Sequence, residues 1–268
     1  VAPFVTFDLL GQLGRLGNQL FQIAATIGAA RRNGCACTFP EWPYESYFAG
    51  LPRDPGRPPP RVPLVEKSYL YRPLDIREHC HLVGYFQSEK YFAHCAAEIR
   101  RALAPREELL APLRARYSAL LDLRPCAIHV RRTDYVANAA YENLGDTGYY
   151  ERAMSAFGRD TLFLLFSDDL AWCRRRFAPD QKRIMFVEGL TAMGDFFLMS
   201  ACAHQIIANS SFSWWAAWLN SNPSKRVIAP RRWFAGEFAD ESRPFVAGPP
   251  HTGYHDTRDL VPESWTRL

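Results

Sequence analysis

Short apolar runs that end abruptly in polar clusters recur along this chain, and between them apolar residues return at three- and four-residue spacing. From residue 126 the alternation is regular. Strands are predicted from Cys126 into the His129-Val130-Arg131 stretch, at Thr161 to Phe166, Ile184 to Val187, His204 to Ala208 and Arg226 to Ala229. Helices are predicted between them, near Tyr149 to Phe157, after Ser167-Asp168-Asp169 to about Phe177, at Thr191 to Cys202 and at Ser213 to Leu219. A run such as Thr161 to Phe166, apolar almost throughout, suits a strand covered on both faces. Strands alternating with helices indicate a parallel, doubly wound sheet.

The first half is less regular. Phe4 to Leu10 reads as a strand, Gly11 to Gln19 as a glycine-rich loop, and a helix follows to about Arg32 with Leu20, Ile23, Ala24 and Ile27 on its apolar face. That layout lets backbone N–H groups meet an anion or a sugar. Its glycine spacing fits neither dinucleotide nor P-loop fingerprints, so a tight turn with three glycines is an equal reading. Cys35 to Phe39 is a short strand, and Pro40 to Pro63, stiffest at Pro58-Pro59-Pro60, is a surface excursion able to wall an acceptor site. His81 to Phe86 is a strand, Ser88 caps a helix to about Leu103, and another helix covers Arg106 to Leu121. Pro125 then marks a boundary. Two domains are expected, 1–124 and 125–268, with the C-terminal tail able to pack back on the first.

In a parallel sheet the carboxyl ends of the strands share one edge, where open α/β sheets place ligands. Three polar clusters should meet there: His129 to Asp134, Ser167 to Asp169, and Asn209-Ser210-Ser211-Phe212-Ser213. Strand parity puts His129 and Arg131 on one face and Arg132 on the other. Arg131 then faces an anionic ligand, and Arg132 pairs with Asp134 or another carboxylate; if the strand ends at Arg131, parity lapses and both can face the ligand. The third cluster runs into a helix, whose free N–H groups and hydroxyls can seat a phosphate or simply form an N-cap. Asp168 and Asp169 can cap a helix, bind a nucleobase or hold a metal; metal ranks last, because two adjacent carboxylates lack a third ligand.

Composition narrows the class. With 268 residues, 48% hydrophobic and 22% charged, the chain is an ordinary globular protein. A net charge of +4 on scattered arginines favours local anion sites over a nucleic-acid groove. Seven dispersed cysteines fit neither zinc nor Cys-x-x-Cys spacing and read as buried free thiols of a reducing compartment. No apolar run reaches the ~18–20 residues of a membrane span, and no signal-peptide pattern opens the chain. Because the chain starts at Val1, a removed anchor stays open.

Gly14 to Gln22, Gly84 to Phe92, His129 to Tyr135, Phe166 to Asp169 and Ile206 to Asn220 together resemble the bacterial and animal alpha-1,2-fucosyltransferases, and more distantly other GDP-fucose-dependent transferases. The His-x-Arg-Arg-x-Asp motif and the long last segment are the specific ones. Thr133 departs from the family's glycine and should stiffen the turn. The resemblance implies a GT-B-like α/β fold, two Rossmann-type domains facing a cleft, the first on the acceptor side and the second binding the donor. It implies GDP-fucose as donor, a β-galactoside acceptor, and inversion with no cofactor and no metal. It assigns Arg131 to the donor diphosphate, His129 to a place near the guanine, Asp168 or Asp169 to reading guanine, and Ser211, Phe212 and Ser213 to the phosphates. Asn209 and Ser210 adjoin that seat. Asn18, with Gly17 before it, matches an asparagine beside the reacting centre.

Fucosyl transfer leaves negative charge on departing GDP, which a fixed guanidinium can hold. Arg131 and Asn18 are therefore the catalytic candidates, together with Asp134, nominated on proximity as base for the acceptor hydroxyl. Locking the loop is an equal reading of Asp134, and Arg132 is expected in the scaffold. Within enzymes the alternatives are a protein O-fucosyltransferase, another GDP-sugar transferase, or a metal-dependent one. A carbohydrate-binding module would use Trp214, Trp215 and Trp218, but their spacing in one helix favours a packed core. Nucleic acid is not an expected partner. The expected setting is cytoplasmic, with peripheral membrane association open, or the Golgi lumen for a truncated animal enzyme. The Asn209-Ser210-Ser211 triplet fits a glycosylation acceptor, which would block the seat.

Overall fold

The computed structural model describes residues 3–53, 59, 62–239 and 255–268. Contacts divide the chain into two α/β units, Val1–Arg106 with Asp240–Pro262, and Glu107–Ala239 with Glu263–Leu268. Each is built on a wholly parallel sheet, the fold class the sequence leads one to expect.

The first unit comprises β1 (Phe4–Thr6), α1 (Leu16–Arg32), β2 (Ala36–Thr38), β3 (Val62–Val65), β4 (Cys80–Val83) and α2 (Ala96–Ala102), with strand order β2-β1-β4-β3. β3 lies where the sequence predicts only an excursion. It holds Pro63, which a ladder tolerates on an edge strand, and β3 is at the edge. The helix expected from Ser88 to Leu103 is instead two 3-10 turns, Glu89–Tyr91 and Ala93–Cys95, before α2. Ser88 still caps, its hydroxyl accepting from the Lys90 N–H at 3.3 Å. The tighter winding seats Tyr91 against the rings of Phe86 and Tyr71, 5.4 and 4.9 Å between centroids. Residues 54–58 and 60–61 of the proline-rich stretch, Pro58 and Pro60 among them, and 240–254 of the tail lie outside the described residues.

The second unit comprises α3 (Glu107–Asp122), β5 (Cys126–Val130), α4 (Thr133–Val136), α5 (Tyr149–Ser155), β6 (Phe163–Ser167), α6 (Leu170–Arg176), β7 (Ile184–Phe186), α7 (Ala192–Ala201), β8 (His204–Ile206), α8 (Ser211–Leu219), β9 (Val227–Ala229) and the two-residue β10 (Thr266–Arg267). The expected boundary at 124/125 moves to Arg106/Glu107, because α3 packs against α7 and so belongs with the second unit. Of the tail, His255 rests its ring on Tyr69 and Asp259 accepts from the Tyr71 N–H at 3.0 Å and from Lys90 Nζ at 2.6 Å, all in the first unit.

The order β10-β9-β8-β5-β6-β7 has one reversal. From β5 the chain runs to β6 and β7 on one side, then returns to β8 and continues to β9 and β10 on the other. Crossovers on the two sides leave a crevice outside the carboxyl ends of β5 and β8, the place such sheets bind ligands. Beneath it β5 and β6 are fully paired from Cys126–Phe163 to Val130–Ser167. Tyr149 of α5 locks the sheet from one face, its hydroxyl donating to the carbonyls of Ile207 and Ile228 at 2.8 and 3.0 Å. Trp214, Trp215 and Trp218 of α8 are buried, with Trp214 against Trp265 at 5.3 Å. They are core residues, as their spacing suggests. The seven cysteines are all free, and six are buried. Among the described residues no helix is long and apolar enough to cross a membrane.

Candidate active site

β5 ends at Val130, so Arg131 and Arg132 lie beyond the strand and parity does not separate them. A carboxylate network does. Arg131 pairs through Nη2 with Asp134 at 2.6 Å and through Nη1 with Asp168 at 2.9 Å. Arg132 pairs through Nε with Asp169 at 3.3 Å and sits over Trp172, its Cζ 3.8 Å from the ring centroid. Of the partners expected for Arg132, Asp134 or another carboxylate, the structure shows the second, Asp169, while Asp134 pairs with Arg131 three residues before it. Arg132 is set between Asp169, Trp172 and Gly145. A Cβ at 145 would come within 3.0 Å of Arg132 Nη1 and 2.9 Å of the indole, so the close approach needs glycine there.

Asp168 and Asp169 both serve the loop after β5. Asp168 accepts from Arg131, from the Arg132 backbone N–H at 2.9 Å and from the Thr133 hydroxyl at 2.6 Å. Thr133, flagged only as a departure, thus gives the turn a bond that a glycine cannot. Asp169 is the N-cap of α6, accepting from the Trp172 N–H at 3.0 Å, and this bond holds its carboxyl below the usual range. Among the described residues no group of three or more His, Cys, Asp or Glu is placed to hold a metal.

His129 is 7% exposed, its ring 5.7 Å from that of Phe212, which in turn lies 5.3 Å from Phe196. This contact and the Arg131–Asp168 pair join all three polar clusters at one sheet edge. Burial pulls the His129 pKa from 6.5 down to about 4; Asp168 opposes the shift and Arg131 adds to it. Its Nδ1 is buried without a hydrogen-bond partner, as is Nη1 of Arg132. Buried polar atoms of that kind call for a ligand or an explanation. The linkage has a definite sign. Between pH 6.5 and 4 the unfolded chain binds the proton and the folded one does not, so this contribution is present above pH 6.5 and lost as pH falls through 4. His129→Phe is expected to flatten the fall of Tm across that window; an unchanged slope refutes it.

The third cluster divides. Asn209, 1% exposed, donates to the carbonyls of Glu142 and Trp233 at 3.0 and 2.9 Å, which makes it a structural clamp and puts its amide out of a glycan's reach. Ser210 is the N-cap of α8, yet its side chain makes no capping bond. Ser213 is buried, its hydroxyl turned to the Ser210 carbonyl at 3.3 Å. Ser211 and Phe212 are half-buried in the first turn. A helix start whose N-cap side chain leaves the first-turn N–H groups alone suits an anion.

Sequence reasoning missed an aromatic sandwich. The Arg131 guanidinium lies 5.6 Å over Tyr135, which stacks on Tyr141 at 4.0 Å and 11°, and Tyr141 lies 5.5 Å from Phe234. Tyr135 closes the motif in the sequence, and only the fold shows its ring near Arg131.

Gly17 and Asn18 belong to the first unit. Gly17 lies inside α1, not in the loop before it. Gln19 Nε2 donates to the Gly14 carbonyl at 2.9 Å and Gln22 Nε2 to that of Leu13 at 3.0 Å, so the helix itself fastens the glycine-rich loop. Asn18 Oδ1 accepts from Gln87 Nε2 at 2.9 Å.

With this geometry in place, comparison with known proteins is specific. Residues 71–247 match the family described as Glycosyl transferase family 11. An Escherichia coli alpha-1,2-colitosyltransferase is 32% identical over 69% of this chain and 61% of its own length. A Bos taurus galactoside 2-alpha-L-fucosyltransferase, SEC1, is 30% identical over 77% of this chain and 62% of its own. The chain thus spans about three fifths of the length of these relatives. Among solved structures, the alpha-1,6-fucosyltransferase NodZ soaked with GDP-fucose matches with a TM-score of 0.55 at 17% identity, over 84% of this chain and 97% of that one. That likeness shows the fold. The chain belongs to glycosyl transferase family 11.

Proposed function

We propose that this chain moves fucose from GDP-fucose to the 2-hydroxyl of a terminal galactose, with inversion at the anomeric carbon and without a required metal. The observation that carries the reading is Arg131, held between Asp134 and Asp168 at the carboxyl end of β5, with the uncapped start of α8 after the neighbouring strand. As the bond from fucose to the β-phosphate breaks, charge gathers on the leaving oxygen. A guanidinium stays protonated and donates in a fork, so it can hold that charge where a dissociable acid could not. The first-turn N–H groups of α8 supply further dipoles at no cost of reorganisation. The two carboxylates keep Arg131 in place before the donor arrives, and the Tyr135 ring lies 5.6 Å from its guanidinium carbon. Neutral His129, beside Phe212, suits contact with the nucleobase rather than with phosphate.

The relatives named for alpha-1,2 transfer support the linkage, and the bovine one is named for galactoside acceptors. The test is incubation with GDP-fucose and a panel of β-galactosides, followed by linkage mapping and a repeat in EDTA. Product linked at any hydroxyl but the second, or loss of turnover in EDTA, overturns the corresponding part. One relative's name favours a second reading, transfer of colitose in place of fucose. A donor competition decides between them.

Asp134 is placed here as the residue that orients Arg131. Asp134→Asn keeps an oxygen able to accept from Nη2, so turnover is expected within about tenfold of wild type, ~1.4 kcal/mol of barrier. A loss beyond about a thousandfold, with donor binding intact, would make Asp134 the base.

A further inference from the structure

Glu66 follows β3 in the first unit and is 8% exposed. Its Oε2 accepts from the Tyr85 N–H at 2.7 Å and its Oε1 from the Phe86 N–H at 2.9 Å. No cation pairs with it among the described residues. Burial pushes its carboxyl up to about 7, against the opposing effect of those two N–H groups. A buried carboxylate without a counter-charge is a costly way to build a core, and what offsets the cost here is that both of its oxygens accept from backbone N–H groups, which an amide of the same shape could not do. Its value must lie in the geometry it imposes.

The segment it grips needs gripping. Gly84 has φ +149° and Phe86 φ +53°, the latter in the left-handed region that bulky side chains avoid. A Cβ on residue 84 would stand 2.4 Å from the Glu66 Cβ, so the carboxylate stem lies directly against the turn. From the other side Gln22 Nε2 of α1 donates to the Gly84 carbonyl at 3.2 Å and also to Leu13 O at 3.0 Å. The next residue out of this staple is Gln87, 6% exposed, whose Nε2 donates to Asn18 Oδ1 at 2.9 Å. An unbroken path of short contacts therefore runs from Glu66 through two peptide groups and the Gln87 amide to Asn18.

We propose that Glu66 is a positioning residue for the transfer: by clamping the N–H groups of Tyr85 and Phe86 it fixes the strained turn that carries Gln87, and through Gln87 it sets the orientation of the Asn18 amide. This rests on the reading that Asn18 lies beside the reacting centre. Glu66 itself touches no substrate. In Glu66→Gln one of the two acceptors becomes an NH2 group facing an N–H, and the turn loses its grip.

The experiment uses the full chain, with GDP-fucose and a β-galactoside acceptor. Glu66→Gln is expected to lower kcat at least tenfold while the KM for GDP-fucose stays within twofold, and to shift the side-chain amide resonances of Asn18. In an Asn18→Ala background the same substitution should have no further effect on kcat, because the group it acts through is gone. Gln87→Met leaves the carboxylate in place and carries the same expectations should Glu66→Gln not fold. Wild-type kcat in both variants, an undiminished effect in the Asn18→Ala background, or unmoved Asn18 amide resonances would overturn the proposal. The amide resonances are read without turnover. A wild-type chain that moves no fucose therefore sinks the activity proposed above and leaves this test standing.

Discussion

Arg131→Ala is expected to abolish turnover, with kcat down by a factor on the order of 10³ and GDP binding also weakened. The loss has two parts. The guanidinium that would meet the leaving phosphate is gone, and one pre-aimed donor to developing charge is typically worth about 3–4 kcal/mol. Removal also leaves Asp134 and Asp168 close together without the cation between them, so two carboxylates now face the anionic donor. Arg131→Lys is the sharper probe. It restores one charge but cannot span both carboxylates, so it should recover GDP affinity more than kcat. Steady-state kinetics with calorimetry for GDP separate the two. An Arg131→Ala variant retaining a tenth of wild-type turnover would refute the assignment.

Asp168→Ala should be nearly as damaging, through a different route. The carboxylate accepts three bonds, from Arg131, from the Arg132 backbone and from Thr133, and it has no counterpart elsewhere in the turn. Without it Arg132 keeps its pair with Asp169 and its contact with Trp172, but Arg131 loses one of its two carboxylates and the turn loses its bonds to the Arg132 N–H and the Thr133 hydroxyl. Breaking such a partly buried network costs about 3 kcal/mol of stability, and the loss of a preset Arg131 should lower kcat at least a hundredfold. Asp168→Asn, which can accept but cannot neutralise the arginine, should lie between. Thermal unfolding and kcat measured on the same preparations check both halves. If kcat holds while Tm falls, Asp168 is scaffold alone.

Much of this loop was legible in the residues. An apolar run ending in His-Val-Arg-Arg-Thr-Asp names its own chemistry, and alternation of long apolar segments placed β5 to β9 near their true positions. What the sequence hid was short or decided by tertiary partners. β3 is masked by Pro63, which is admissible only because the strand turns out to be an edge. The boundary at Pro125 looked natural because proline does separate α3 from β5, yet α7 claims α3. The parity argument that separates Arg131 from Arg132 fails in its premise, since β5 stops at Val130. Their roles come from Asp134, Asp168, Asp169 and Trp172, three of them more than thirty positions away in sequence. Glu66 gave no local signal at all: its partners, Tyr85 and Phe86, are backbone groups just beyond the end of the neighbouring strand.

The two units are also interleaved along the chain, and this bears on synthesis. The first is closed by residues that include Asp259, bonded to Tyr71 and Lys90, and the second by Leu268, whose N–H bonds to Ala229 and whose carbonyl accepts from Arg231. Synthesis reaches residues 3–53 long before 255–262, which belong to the same unit, and residues 263–268, which belong to the second unit, come later still. Domains normally fold one after another as they leave the tunnel. Here pieces of both units lie side by side late in the chain, so a stop codon after residue 254 would leave two incomplete units rather than one intact and one lost.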